Sequence, residues 1–442
     1  MPSVDALTLA ALAEELRAEL PGARIDDVIQ PTPHAIALQC WGSGRNRWLL
    51  ATAHPQLARV HLIEHKPRKL VTEPPAFVML LRKHLEGARI AAIRQPRWER
   101  LIEIGFGRGP SVADGVASVW LVAEIMGQIS NLILRSDDGT ILGALHIINA
   151  EMNRYRTIAP HVLYRYPPTQ TRTLRGETIP RLRGETVTAY DLRETARALL
   201  ATAQPEQPAP RKSRRARETP TVAGMMASQV EGFSREMGRE VAARALASPD
   251  EPLTADLPWE QVAEEARALA AQAETSAWQP TLVYGDETNE RPTAFTVYLP
   301  RQFGDAALRP AASVNEMLAT FYHDAEWRTA LDSARRELRH LLQTIRDRCA
   351  RKDDVLRGEL AAIDEAQALR EEADLLLAFQ TEIARGQTSI TLENPFGEGT
   401  TQTLTLDPRF TAVENANRRY ARYHKLQRAT ALIPPQIEAN RL

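Results

Sequence analysis

The sequence predicts an α+β protein with more than one domain, and three observations carry that prediction. Alternating apolar and polar segments, rich in Val, Ile, Leu and Trp and separated by Gly, Pro or Asp, fill the first part of the chain, as strands do. Apolar residues recurring by three and four fill much of the rest, as helices do. At 442 residues the chain is longer than one hydrophobic core ordinarily supports.

Taken in order, "MPSVDALTLAALAEELRAEL" is an amphipathic helix. The stretches "ARIDDVIQPTPHAIALQCW", "RWLLATAHPQLARVHLI", "ARIAAIRQPRWERLIEIGF" and "SVWLVAEIM" are short strands with turns between them. "SNLILRSDDGTILGALHII" is a hairpin turning at Asp-Asp-Gly. Among the strands, "FVMLLRKHLEGARI" has helical spacing, with Phe77, Leu80, Leu81 and Leu85 on one face and Gly87 at its end. These elements form a first domain over residues 1–173, closed by "YRYPPTQ". Residues 174–280 read as helical, interrupted over 204–221 by a Pro-rich cationic loop containing Arg211, Lys212, Arg214, Arg215 and Arg217, mobile by composition. Residues 281–313 are a β connector that can belong to the first domain.

From Val314 a helical pattern runs to Arg385. Within it Leu338, Leu342, Ile345, Cys349, Lys352 and Leu356 alternate by four and three, and Ile363 follows, which is coiled-coil spacing with one lysine in the seam. Gly386 stops the pattern and a β-hairpin-like tip covers 386–407. A second helix starts at "PRFTAVENANRRYARYHKL" and is expected to break at Pro434 and Pro435. The first helix, about 90 Å long at the usual rise, outruns the returning one. Part of its apolar seam is expected to be uncovered, as in a fragment of a longer protein.

Composition narrows the function. Charged residues at 25% and hydrophobic ones at 43%, with net charge −1, describe a soluble protein with no global pull toward nucleic acid or membrane. Charge is distributed unevenly: Arg45 to Arg108 holds 13 Lys and Arg against five Glu, a surplus of +8, whereas Asp353 to Glu382 is acidic. A local surplus of that sign is the footprint of a phosphate-bearing partner. The only cysteines, Cys40 and Cys349, make neither a disulfide framework nor a metal motif. The start lacks a cationic leader and no apolar run approaches 18 residues, so a cytoplasmic location and no membrane contact are expected. Arg82, Lys83 and His84, crowded into one helical turn, are either the solvated face of a core helix or a surface for RNA backbone.

Four separated motifs, "MLLRKHLEGARI", "RWERLIEI", "EIMGQISNLIL" and "LDPRFTAVENANRRYARYHKL", resemble in order and spacing the NFACT family, over essentially the whole chain. The family includes the bacterial RqcH or fibronectin-binding-protein-A-like proteins and eukaryotic NEMF. The resemblance implies a glycosylase-like NFACT-N domain, a helix-hairpin-helix domain and a long antiparallel coiled coil, with the second coiled-coil helix and an NFACT-R domain cut short. It further implies ribosome-associated quality control. Such proteins bind the large ribosomal subunit obstructed by peptidyl-tRNA, recruit charged tRNA, and support template-free tailing of the stalled chain, with alanine in bacteria.

The family's Asp-Arg pair, implicated in tRNA engagement, falls on Glu99 and Arg100, and its Glu-Ile-Met-Gly-Arg segment falls on Glu124 to Gln128. Glu99 carries its carboxylate one methylene further out, and Gln128 lacks a phosphate-pairing charge. Arg100 offers a planar fork of donors for phosphate or a guanine edge, and Glu99 can orient that fork or accept from a base or ribose. Trp98 stands either as a base-stacking platform or as a core residue. Arg97, Asn131 and the Arg82–His84 turn complete the expected tRNA surface. The turn in "EGFSREMGREVAARAL" resembles the helix-hairpin-helix portion, where backbone N–H groups meet phosphate.

Two rivals belong to other classes. The arrangement is similar to formamidopyrimidine DNA glycosylases, and Pro2 matches their nucleophile, but Ser3 stands where they carry a catalytic glutamate. Fibronectin binding is implied by the older family name. The histidines are scattered, and His61 and His65 lack further ligands nearby. The expectation is therefore a non-enzyme with no cofactor or metal, the ribosome's own peptidyl-transferase centre joining the amino acids.

Overall fold

The computed structural model describes the chain apart from residues 1–2, 69–73, 154, 169–170, 175–176, 204–218, 247, 287, 289, 324, 362–365, 394–400 and 442. Pro2 and the cationic stretch from Arg211 to Arg217 thus lie outside the described residues. The chain divides into two compact units, Met1–Arg328 and Thr329–Leu442.

The first unit is a mixed α and β structure whose largest part is an antiparallel sheet. Helix α1 (Ala6–Glu19) precedes β1 (Arg24–Thr32), β2 (Ala35–Gly42), β3 (Arg45–Thr52) and β4 (Arg59–Ile63). Then α2 (Ala76–Leu85) leads into β5 (Arg89–Arg94), β6 (Leu101–Gly107), β7 (Val119–Glu124), β8 (Asn131–Ser136) and β9 (Ile141–Ala144). Among the described residues these make a nine-stranded sheet ordered β4-β3-β2-β1-β5-β6-β7-β8-β9. The alternation read in the sequence is the reason: Leu9, Leu12 and Leu16 of α1 and Phe77, Leu81 and Leu85 of α2 pack with Ile25, Ile36, Ile104 and Leu121 of the sheet in one core. The opposite face of β6–β9 carries a second cluster of Leu101, Val122, Ile133, Ile141 and Ile158. Gly87 ends α2 with φ +74, a conformation that glycine adopts without steric cost.

After a short pair, β10 (Thr171–Leu174) and β11 (Glu177–Pro180), come α3 (Ala189–Ala203), α4 (Val222–Gln229), α5 (Arg235–Leu246) and α6 (Trp259–Thr275). A three-stranded sheet follows, β12 (Thr281–Tyr284) lying between β13 (Pro292–Thr296) and β14 (Ala307–Pro310), and then α7 (Val314–Phe321). Leu192, Met226, Met237, Trp259, Val297 and Met317 from these elements join the α1 core, so residues 281–313 pack within this unit. Ser313 starts α7 as a cap: its hydroxyl accepts the Glu316 N–H at 3.0 Å, and Glu316 accepts the Ala312 N–H at 3.0 Å. Glu15 of α1 accepts the Asn315 N–H at 3.0 Å. The helical pattern expected to run with little interruption from Val314 to Arg385 is corrected accordingly, because its first eight residues are this separately capped helix.

The second unit contains α8 (Ala325–Ala361, entering from the first unit), α9 (Ala366–Ala378), the hairpin β15 (Ser389–Glu393) with β16 (Thr401–Thr405), and α10 (Ala412–Arg441). Leu376, Leu392, Leu404 and Ala416 form a small core where α9, the hairpin and α10 meet. Arg419 pairs with Glu372 at 2.8 Å and Asn440 donates to the Cys349 carbonyl at 2.7 Å, so α10 runs antiparallel to α8 and α9. Leu356 is buried, whereas Leu338 and Leu342 are 60% and 65% exposed. Two boundaries differ from expectation. Helix α9 ends at Ala378 rather than Arg385, and α10 continues through Pro434 and Pro435. Proline's fixed φ is compatible with a helix, so each ring withdraws one backbone donor without ending the element. Among the described residues no helix is long and apolar enough to cross a membrane.

His61 on β4 is 2% exposed, and burial, followed by the charge of Arg59, pushes its pKa well below 6.5. The unfolded chain therefore takes up this proton first as pH falls, and stability present above the ordinary imidazole pKa is lost as pH drops toward the depressed folded value. The melting temperature is expected to be lower at about pH 5.5 than at about pH 7.5, and His61→Phe is expected to shrink that difference. Thermal unfolding at the two pH values checks it; an unchanged difference would place the sensitivity in other groups.

Candidate nucleic-acid interface

The expected site forms where two loops meet at one end of the sheet. The loop from Gln95 to Arg100 joins β5 to β6, and the segment from Ile125 to Ser130 joins β7 to β8. In the antiparallel register Leu101 lies opposite Glu124, which sets the two loops side by side. A hydrogen bond from the Ile125 N–H to the Arg100 carbonyl, 2.8 Å, ties them together. Glu99, Arg100 and Gln128, far apart in sequence, thus belong to adjacent loops.

Trp98 fixes the first loop. Its φ is +59, a left-handed conformation uncommon outside glycine. Its indole N–H donates to Glu185 at 2.6 Å, and its ring lies against Gly232, where an added Cβ would come within 2.4 Å of the ring. Gly232 has φ +73 and joins α4 to α5. Trp98 is 9% exposed, so the base-stacking expectation is corrected: the face a base would need is covered by the helical hairpin. Arg97 is held as well, donating to Glu185 at 3.0 Å and to Glu274 at 2.7 Å. Its guanidinium joins the loop to the helices instead of waiting for phosphate. At the α4–α5 turn one N–H of the α5 terminus is taken from within the unit. Ser234 accepts the Met237 N–H at 3.1 Å and donates to Asp5 at 2.8 Å, which ties the start of α5 to the loop before α1.

Beyond Trp98 the chain emerges. Glu99 and Arg100 are both half-buried. Among the described residues the Arg100 guanidinium makes no hydrogen bond or ion pair within 4 Å, although its charge reaches Glu99. Burial, and secondly the Glu231 carboxylate, push the Glu99 pKa up, while Arg100 pulls it down. The pair therefore offers one uncommitted cation beside a carboxyl whose ionisation responds to its surroundings. Gln128 is exposed in the one-turn helix Gly127–Ile129.

The remaining expected contacts lie elsewhere. Glu124 is fully buried and takes both guanidinium nitrogens of Arg156 at 2.6 Å and the Tyr164 hydroxyl at 2.8 Å. Burial, followed by Glu124, pushes the Tyr164 pKa up, which keeps its proton in place as donor. Asn131 is also fully buried: it donates to the His146 carbonyl at 2.7 Å and accepts the His146 N–H at 3.0 Å. Glu124 and Asn131 are corrected from surface contacts to supports beneath the surface, because every strong donor or acceptor they own is taken inside. Arg82, Lys83 and His84 occupy the last turn of α2, where cations meet the negative end of the helix dipole. Arg82 donates to the Val28 carbonyl at 2.9 Å, Lys83 is exposed, and burial, then Lys83 and Arg108, lower the pKa of His84. Arg108 follows β6 and Arg100 precedes it, so this turn and the Glu99–Arg100 loop sit at opposite ends of one strand, about 25 Å apart.

One grouping escaped the sequence entirely. His34 lies between His54, with ring centroids 5.3 Å apart, and His146, 5.5 Å apart. Burial, then His34, lowers the pKa of His146. Gly127 lies near the Pro55 carbonyl, which puts these rings next to the second loop. Spaced along three separate connections, they left no local pattern to read. Among the described residues no three His, Cys, Asp or Glu are arranged to hold a metal ion.

A family model described as NFACT N-terminal and middle domains matches residues 5–442. The chain is 25% identical over 440 residues to the Rqc2 homolog RqcH of Streptococcus pneumoniae, covering 99% of this chain and 68% of the relative. It is 25% identical over 441 residues to the Rqc2 homolog RqcH of Bacillus subtilis, covering 98% and 69%. A solved structure, the N-terminal part of the fibronectin/fibrinogen-binding protein from Streptococcus suis, matches with a TM-score of 0.51 at 25% identity, over 73% of this chain and 100% of that one.

The buried pair separates support from surface. Glu124→Gln leaves Arg156 charged and uncompensated, so a loss of about 3–5 kcal/mol in stability is expected. Urea unfolding at neutral pH measures it. A loss below about 1 kcal/mol would return Glu124 to the surface.

Proposed function

The chain belongs to the NFACT family, and from that membership we propose that it is a ribosome-associated quality-control factor that recruits tRNA to obstructed large subunits. The observation that carries the reading is the uncommitted guanidinium of Arg100, held beside Glu99 on a loop pinned by Trp98 and tied to the Ile125 segment. A planar fork on a rigid support suits a phosphate or a guanine edge, and the +8 surplus of the surrounding stretch suits a polyanion. Glu99 orients the fork or accepts from the RNA, and exposed Gln128 contributes a neutral contact where the family pattern has a charge. On this reading α4 and α5 are the helix-hairpin-helix element, used for internal docking, and α8 to α10 are part of an antiparallel coiled coil reaching along the ribosome. Alanine tRNA is the recruited species, tailing proceeds in the ribosomal peptidyl-transferase centre, and the protein acts in the cytoplasm by positioning, without catalysing bond formation itself. Fibronectin or fibrinogen binding, a second reading, is favoured by the older family name and by the name of the Streptococcus suis protein.

Binding to total bacterial tRNA at physiological salt, followed by sequencing of the retained species, tests the proposal. Arg100→Ala is expected to weaken binding by about tenfold or more with the melting temperature unchanged. Retention of alanine isoacceptors, lost in the variant, supports recruitment. Unselective retention indifferent to the variant would sink it, as would a fibronectin affinity that exceeds the one for tRNA.

A further inference from the structure

A second charged surface lies at the other side of the first unit. Strand β4 is the outer strand of the nine-stranded sheet, and between it, β3 and α7 opens a cleft of about 1550 Å³. Clefts for small ligands are usually about 300–1,000 Å³, so this one is sized for a segment of a larger chain. Its lining is cationic from two directions. Arg45 begins β3 and Arg291 stands immediately before β13; both are exposed, and neither has a partner among the described residues. Lys66 lies on the same wall, bridged to Asp27 at 3.1 Å. The floor is made differently. His61 is 2% exposed, lines the cleft, and has no hydrogen-bond partner for its buried Nδ1. Beside it Asn315 accepts the Leu62 N–H at 2.8 Å, which takes one donor of the free edge of β4.

We propose that this cleft binds a single-stranded RNA segment, with Arg45 and Arg291 holding phosphates from opposite walls and the His61 ring at its floor facing the sugar. The chemistry points to a phosphodiester strand in three ways. Two uncommitted guanidiniums facing one opening favour an anion with repeated charges. The volume of about 1550 Å³ exceeds what a single small ligand ordinarily fills. The His61 ring on the cleft lining offers a flat partner to a sugar or base. An extended peptide is disfavoured because an N–H of the edge it would pair with is already taken by Asn315. The site goes beyond the Arg100 loop and does not depend on it.

Fluorescence anisotropy of the full chain with a labelled oligouridine tests the proposal, with Arg45→Glu/Arg291→Glu as the variant. Arg193→Glu/Arg197→Glu, two exposed cations of α3, changes net charge equally and serves as control. Two lost phosphate contacts on a single strand predict a fall in affinity of roughly tenfold near physiological salt, and a salt slope shallower by about 1.4. The control is expected to stay within about twofold and melting temperatures to be unchanged. Equal losses in variant and control would reduce the effect to net charge and overturn the site. So would displacement of oligouridine by equimolar inorganic tripolyphosphate, which would assign the cleft to free polyphosphate. Loss in Arg100→Ala alone would overturn the cleft while leaving the proposed tRNA loop standing.

Discussion

The docking of Trp98 is the contact on which the candidate interface depends. A non-glycine residue at φ +59 carries a conformational cost on the order of 1 kcal/mol, and the surrounding packing must hold it there. The indole N–H to Glu185, the ring face on Gly232 and the two carboxylate partners of Arg97 supply that hold. Gln95 closes the loop from beneath, donating to both the Ala6 and Glu99 carbonyls at 3.1 Å. Sheet, first helix and helical hairpin therefore all grip the five residues before Arg100. The guanidinium that emerges has a fixed root, and a fixed root lowers the entropy lost when a ligand is gripped.

Beneath that loop, charge is stored in closed networks. Glu124 with Arg156 and Tyr164, and Glu103 with Arg135 at 3.1 Å and Tyr166 at 3.0 Å, place carboxylates inside the sheet's second layer. Trp120 carries Arg94 over its ring at 4.2 Å and donates to Asp137 at 3.1 Å. Buried ions of this kind are stable only when paired and hydrogen-bonded. The Glu124 network stiffens the ends of β6, β7 and β8 from which both interface loops spring, and the others brace the strands further along. The motif containing Glu124 is thus partly framework and partly surface, with Gln128 on the outside.

Cations, by contrast, are spread over several faces. The α2 turn, the Arg100 loop and the β4 cleft are distinct places in the first unit, and a local surplus of +8 maps onto all three. One strand length separates the first two. A polyanion that followed this surface would touch cations at intervals, which is how affinity accumulates from weak individual phosphate contacts.

The sequence by itself determined which stretches are strand-rich and which are helical. Apolar, β-rich runs between turn residues marked the strands of the large sheet, Asp-Asp-Gly marked the β8–β9 turn, Gly87 marked the end of α2, and heptad spacing marked α8. Such features depend on neighbours a few residues away, so they are written locally. Tertiary structure alone decided which polar residues remain available. Glu99 and Glu124 look equivalent in sequence, yet one stands half-buried without a bound partner and the other is locked to Arg156. Trp98 was readable as platform or core until Gly232, 134 positions away in the chain, covered its ring. The His34, His54 and His146 cluster and the β4 cleft have no sequence pattern at all, because strand order and the folding of distant connections create them. Burial and pairing are set by long-range contacts, and one strand's periodicity holds no record of what packs against it.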